Sequence, residues 1–234
     1  MSAVVTAARA PRRRFLTHGA LETVFGVAYV GLMTNLLLLV GSLPFVVLLV
    51  TTDPTRSWLL LALAAPFAFP TLTAVCAVYR AFSQEGSTTV VRTFAAAWRA
   101  GFRRSLAVGA VVVGALVVLG VDVRAVWGMQ VGAVAIPVLA VLIALVVATV
   151  PVLVVVAAER PDLRLRDVLR VAPYLALRRW YLTALSLFSA GLLFALFAAQ
   201  PAVAIGLAAA PLLYVVWANG RFAVERLPGS AEAA

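Results

Sequence analysis

Long apolar runs alternate along this chain with short segments dense in arginine. The runs are too continuous to be the buried face of a water-soluble helix or strand. A helix needs about 20 apolar residues to cross a hydrocarbon core about 30 Å thick. Residues 24–50 and 58–79 reach that length, separated by the polar gap Thr51, Thr52, Asp53, Pro54, Thr55, Arg56, Ser57. Residues 106–121 form a shorter third run closed by Asp122 and Arg124, and residues 127–156 a long uncharged fourth in which Pro137 and Pro151 offer kinks. From Trp180 to Asn219 there is no charge, and at about 1.5 Å per residue a single helix would reach about twice the needed thickness. The stretch must fold back, and Gln200-Pro201 is the natural turn, giving spans at 180–199 and 202–217. The expected fold is all-α, a polytopic membrane protein of six transmembrane helices joined by basic amphipathic cytoplasmic loops.

Charge sets the orientation. Lysine is absent, and seventeen of the nineteen arginines fall in four clusters. These are Arg9, Arg12, Arg13, Arg14; Arg80, Arg92, Arg99, Arg103, Arg104; Arg160, Arg164, Arg166, Arg170, Arg178, Arg179; and Arg221, Arg226. Basic residues stay on the cytoplasmic side during insertion. Six spans place every cluster on that side and Arg56, Arg124 and Gln200 on the other. The expected location is therefore a bacterial inner (plasma) membrane, with a basic cytoplasmic tail at 1–22, a transmembrane domain at 23–218 and a cytoplasmic tail at 219–234. Arg12-Arg13 resembles the start of an export signal, but His18 and Glu22 intervene and no small-residue cleavage pattern follows, so an uncleaved anchor is expected. Trp58 and Trp127 open spans from outside and Trp180 and Trp217 mark cytoplasmic ends, the headgroup level that amphipathic indoles favour.

Two basic segments carry helical periodicity. From Ser87, a plausible N-cap, to Arg104, the residues Val91, Phe94, Trp98 and Phe102 recur at helical spacing with Arg92, Arg99 and Arg103 largely on the other side. That pattern fits a helix lying in the inner membrane surface, or a cytoplasmic helix packed on the bundle ends. Residues 159–179 echo it: a shift of seventy-five positions lays Phe94 on Leu169, Ala97 on Ala172 and Arg103-Arg104 on Arg178-Arg179. A duplicated span-loop-span unit and shared membrane constraints account for the echo equally well.

Composition narrows the chemistry. The chain is 12% charged and 64% hydrophobic, with a formal charge of +10. The arginines flank apolar runs instead of forming one basic domain, so the expected partners are the bilayer and its anionic lipid headgroups, not nucleic acid. Cys76 is the only cysteine and His18 the only histidine, which excludes an intrachain disulfide, a thiolate metal cage and a bis-histidine haem within one chain. No phosphate-binding glycine loop or dinucleotide fingerprint is present. Glu159, Asp162 and Asp167 read as partners of nearby arginines. No catalytic residue, cofactor or metal site is expected, and the chain reads as a non-enzyme.

Ionisable groups at the bilayer centre cost about 2.5 to 3.5 kcal/mol each, and none of the charged residues here falls well inside a span. Carboxylate-coupled transport is correspondingly disfavoured. The strongest hydrogen-bonding side chain near the middle of a span is Asn35, which reads as a clasp between helices or as a substrate contact. Gly41 and Pro44 weaken the same helix one to two turns later, and Pro66 and Pro70 could break the second span. Gly128 and Gly132 have the spacing of a close helix approach. A candidate surface for partners or lipid comprises Arg92, Trp98, Arg99, Arg103, Arg104, Arg178 and Arg179, joined by Arg164, Arg166 and Arg170.

The run from Asn35 through Leu36-Leu37-Leu38-Leu39-Val40-Gly41-Ser42-Leu43 to Pro44 resembles the signature of the YesL-like family, bacterial membrane proteins of unknown function. Ala74-Val75-Cys76-Ala77-Val78-Tyr79-Arg80 is similar to that family's second span as it leaves the membrane, and Arg92-Thr93-Phe94, Trp98 and Phe102-Arg103-Arg104-Ser105-Leu106 to its basic, aromatic segment. The chain departs from the pattern after Pro44, where Phe45-Val46-Val47-Leu48 continues the apolar run in place of a Thr-x-Gly turn. The resemblance implies an accessory or regulatory part in carbohydrate uptake beside ABC transporter subunits. A permease in its own right and a lipid-binding scaffold are the alternatives.

Overall fold

The computed structural model describes residues 14–225, with side chains from residue 24 onward. Expectations resting on Arg9, Arg12, Arg13 and Arg226, or on the side chains of Arg14, His18 and Glu22, lie outside the described residues. All regular structure among the described residues is helical: α1 (Arg14–Gly41), α2 (Leu43–Thr51), α3 (Trp58–Ala64), α4 (Ala68–Glu85), α5 (Val90–Val126), α6 (Gly132–Glu159), α7 (Leu165–Arg178), α8 (Trp180–Ala199), α9 (Pro201–Val203) and α10 (Ala209–Glu225). A 3-10 turn, Ala65–Phe67, joins α3 to α4, and a π-helical segment, Ala204–Ala208, joins α9 to α10. Among the described residues six stretches are long and apolar enough to cross a membrane: Val24–Gly41, Trp58–Glu85, Val90–Val126, Gly132–Glu159, Trp180–Ala199 and Pro201–Glu225. Helix is what such a sequence must form in lipid, because each backbone N–H and C=O needs a partner within its own segment.

Burial is concentrated on α4 and α6. Residues Thr73 to Tyr79 of α4 and Pro151 to Ala157 of α6 are buried without interruption, so these segments form the axis of the bundle. Large apolar side chains on α1, α8 and the outer faces of α3 and α6 stay exposed, which is the outward face expected where hydrocarbon is the solvent. Three glycines mark where helices touch backbone to side chain. A Cβ at Gly41 would lie 2.5 Å from Thr71 Oγ1, one at Gly109 2.7 Å from Phe69, and one at Gly220 2.6 Å from Val155. Small residues at these crossings let α1 meet α4, α5 meet α4, and α10 meet α6.

The first apolar run, residues 24–50, is divided. α1 ends at Gly41, Ser42 takes φ −103°, and α2 begins with Pro44 in its first turn, where the missing N–H costs least. The Ser42 hydroxyl donates to the Leu38 carbonyl across the break. By contrast α6 runs through Pro137 and Pro151 without loss of helix.

Residues 90–104 are not a separate surface helix. They are the opening turns of α5, a single 37-residue helix. At about 1.5 Å per residue it is about 55 Å long, well beyond the hydrocarbon thickness, so its first turns project from the apolar zone. The helix starts after Thr89, not Ser87, whose hydroxyl instead lies 2.8 Å from the Thr89 hydroxyl. The second basic segment differs, because α7 stops at Arg178 and α8 restarts at Trp180. Gly128 and Gly132 also serve another purpose than helix packing. Gly128 has φ +82° in the turn after α5, and Gly132 abuts the Val126 carbonyl where α6 begins. Both therefore belong to a turn that a Cβ would block.

Candidate functional site

Asn35 sits on the inner face of α1 and is 3% exposed. Its Nδ2 donates to the Gly206 carbonyl at 2.9 Å, and its Oδ1 accepts from the Ala210 N–H at 2.6 Å. In an unbroken α-helix the Ala210 N–H would bond the Gly206 carbonyl directly, four residues back. The π-helical segment opens that pair, and the carboxamide enters the gap and satisfies both groups. The Ala210 carbonyl accepts from Tyr79 Oη at 2.8 Å, which ties α4 to the same point. Gly41 and Pro44 do not join Asn35 in one pocket: Gly41 faces Thr71 on α4, and Pro44 is exposed in the first turn of α2.

From Tyr79 an aromatic column leads toward the arginine-rich end. Tyr79 meets Tyr214 edge-on at 5.4 Å, and Tyr214 lies 5.4 Å from Trp217. Trp217 is 2% exposed, so it is a core residue of the bundle and not a headgroup anchor. Its Nε1 donates to Glu159 Oε1 at 2.9 Å, while Arg80 approaches Glu159 Oε2 at 3.7 Å and the Ala158 carbonyl at 3.5 Å. Glu159 thus holds α4, α6 and α10 together at that end. Trp58 and Trp180 by contrast are exposed at helix starts, and Trp127 is exposed as the residue that ends α5 instead of opening the next span.

At the arginine-rich end the remaining arginines, the Arg221–Glu225 pair aside, divide into two groups. One caps the chain's own structure. Arg104 donates to the Arg160 carbonyl at 2.8 Å, and Arg160 binds both oxygens of Asp162 at 3.1 and 3.0 Å. Those bonds hold the Asp162 carboxyl below the usual carboxylate range. Arg179 donates to the Phe222 carbonyl at 3.4 Å and stands over that ring, and Arg178 bonds the Tyr174 hydroxyl at 3.0 Å. In the other group Arg92, Arg99, Arg103, Arg164, Arg166 and Arg170 are exposed and meet no carboxylate within ion-pair distance among the described residues. Arg92, Arg99 and Arg103 lie on one face of α5, at spacings of seven and four residues. Trp98 packs on Phe102 at 4.7 Å, and its Nε1 is buried without a partner.

Sequence reasoning missed the Glu159–Trp217–Arg80 junction, the Tyr79 bond and the buried Thr73–Ser105 hydroxyl pair at 2.8 Å. Tyr79 and Trp217 were visible only as aromatic residues near span ends, a position compatible with lipid or core. Among the described residues no group of three His, Cys, Asp or Glu gathers where a metal could be held. An apolar groove of about 350 Å³ runs between α2 and α8. Neither a curated protein nor a solved structure matches the chain. A family model does match residues 31–123, the stretch that carries Asn35, the α1–α2 break and the α5 arginines, and over that stretch the chain is similar to the family described as "Protein of unknown function, DUF624".

Proposed function

We propose that this chain is a YesL-like inner-membrane protein that serves as a non-enzymatic accessory or regulatory component of an ABC-type carbohydrate uptake system. Both termini and all the arginine-rich turns would face the cytoplasm in this reading, following the distribution of basic residues. One observation carries it. The polar groups buried in the bundle are largely spent on joining helices, as at Asn35, Tyr79 and Glu159, whereas six guanidinium groups at one end are exposed and unpaired among the described residues. That division disfavours a hydrophilic path through the protein and favours a surface that engages an acidic partner from one side.

The test is affinity purification in mild detergent, comparing the natural chain with an Arg92→Glu, Arg99→Glu, Arg103→Glu variant. Transporter subunits should co-purify with the natural chain and be lost with the variant, and deletion should lower sugar uptake. Absence of any transporter subunit together with unchanged uptake would reject the proposal.

A further inference from the structure

Five helices enclose the groove between α2 and α8, with Leu38 and Leu72 toward its inner end and Leu49 and Phe197 toward its outer end. Three backbone irregularities shape it: the α1–α2 break at Ser42, the 3-10 turn preceding Ala68, and the π-helical segment containing Ala204 and Ile205. We infer that this groove holds one acyl chain of a membrane phospholipid, from the leaflet on the side of the 52–57 turn.

Chemistry narrows the occupant first. Ser42 contributes the only polar side chain among the lining residues, and its hydroxyl is already engaged by the Leu38 carbonyl. Nothing in the walls can bind a sugar, an ion or a peptide backbone, because each would leave its polar groups unsatisfied. Dimensions narrow it further. The eleven residue steps from Leu38 to Leu49 rise about 16 Å at 1.5 Å per residue, close to half of a hydrocarbon core about 30 Å thick. Even with its open mouth the groove offers about 1050 Å³ of empty space, short of the volume of about 1,500 Å³ filled by a helix of that length and 10–12 Å diameter. An extended hydrocarbon chain fits such a groove, whereas a helix of a second copy does not. The outer end lies within about one turn of Thr52 and Gln200, polar positions suited to headgroup depth, and Phe194 at the lip is 71% exposed.

The experiment reconstitutes the full chain in vesicles of phosphatidylethanolamine and phosphatidylglycerol carrying a phospholipid with a photoactivatable group midway along one acyl chain. Label should concentrate on peptides of α2 and α8 that line the groove. It should fall at least fivefold in Ala190→Trp and in Val46→Trp, which fill the groove from opposite walls, and stay unchanged in Val138→Trp on the lipid-exposed face of α6. Label spread evenly over all exposed helix faces of the natural chain would overturn the inference, and so would undiminished groove labelling in either filling variant. Protein–protein cross-links in place of lipid adducts at α2 would assign the groove to a second copy instead. The natural chain's label map decides the matter even if one variant fails to fold.

Discussion

Replacing Asn35 by leucine removes the carboxamide from between the Gly206 carbonyl and the Ala210 N–H, leaving two backbone groups without partners at a buried site. Each orphaned group costs about 1–3 kcal/mol, less whatever is recovered if the π-helical segment closes back to an α-helix. We expect the unfolding temperature in detergent to drop by an amount equivalent to about 1–3 kcal/mol, and an unchanged midpoint would mean that closure is free. Asp162 supplies a pH-dependent counterpart. Its carboxyl is held below the ordinary range by Arg160, so this contact stabilises the 160–164 turn above the unfolded-state value and is lost as pH falls through the folded one. Amide protection in that turn, measured against the intrinsic exchange rate at each pH, should fall on acidification, and Asp162→Asn should remove the dependence. At this scale the sequence was partly legible. Asn35 stands out because a carboxamide in an apolar run needs a partner, but the partner is a backbone distortion 171 residues away, and no side-chain pattern announces a π-helical segment.

The helices themselves were readable because lipid imposes length and hydropathy on each span independently of its neighbours. Their junctions were not. Whether an amphipathic arginine segment lies flat or continues into a span depends on what the inner face packs against, and Val90, Phe94, Ser105 and Val108 of α5 are all buried, which keeps one helix going through both regions. Close contacts between elements give sharper tests. Gly220→Ala drives a Cβ to 2.6 Å from Val155, an overpacking that typically costs about 1–3 kcal/mol. Val155→Ala in the same chain removes the nearest atom but keeps a Cβ at 2.8 Å, so it should recover only part of that loss. Additive losses in a double-mutant cycle would mean that the α6–α10 crossing does not depend on this contact.

Across the whole molecule the buried axis of α4 and α6 joins helices that would otherwise share only lipid, and most of the exposed guanidinium groups crowd one end, with Arg56 and Arg124 at the other. Tags inserted beside Ala172 and after Gln130 should report opposite sides of the membrane, the former cytoplasmic. The same side for both would remove the orientation on which the proposed partner surface depends. Glu159→Gln keeps an acceptor for Trp217 but loses the charge facing Arg80, so we expect a modest loss of thermal stability, well below that of Glu159→Ala, which also strands the indole N–H. The arginine-rich end was legible in the sequence as clustered arginines. Which of them are consumed internally was not, since Arg104 and Arg179 bond backbone carbonyls of distant helices.

The carboxamide wedged into the last helix also bears on how the chain is built. Asn35 emerges from the ribosome long before Gly206 and Ala210, so α1 enters the bilayer with a bare amide and waits for the hairpin of α8 and α10 to arrive. Closure of this joint is therefore set by when that hairpin docks and not by when α1 inserts. A chain truncated after Ala199 keeps that amide without either of its two partners.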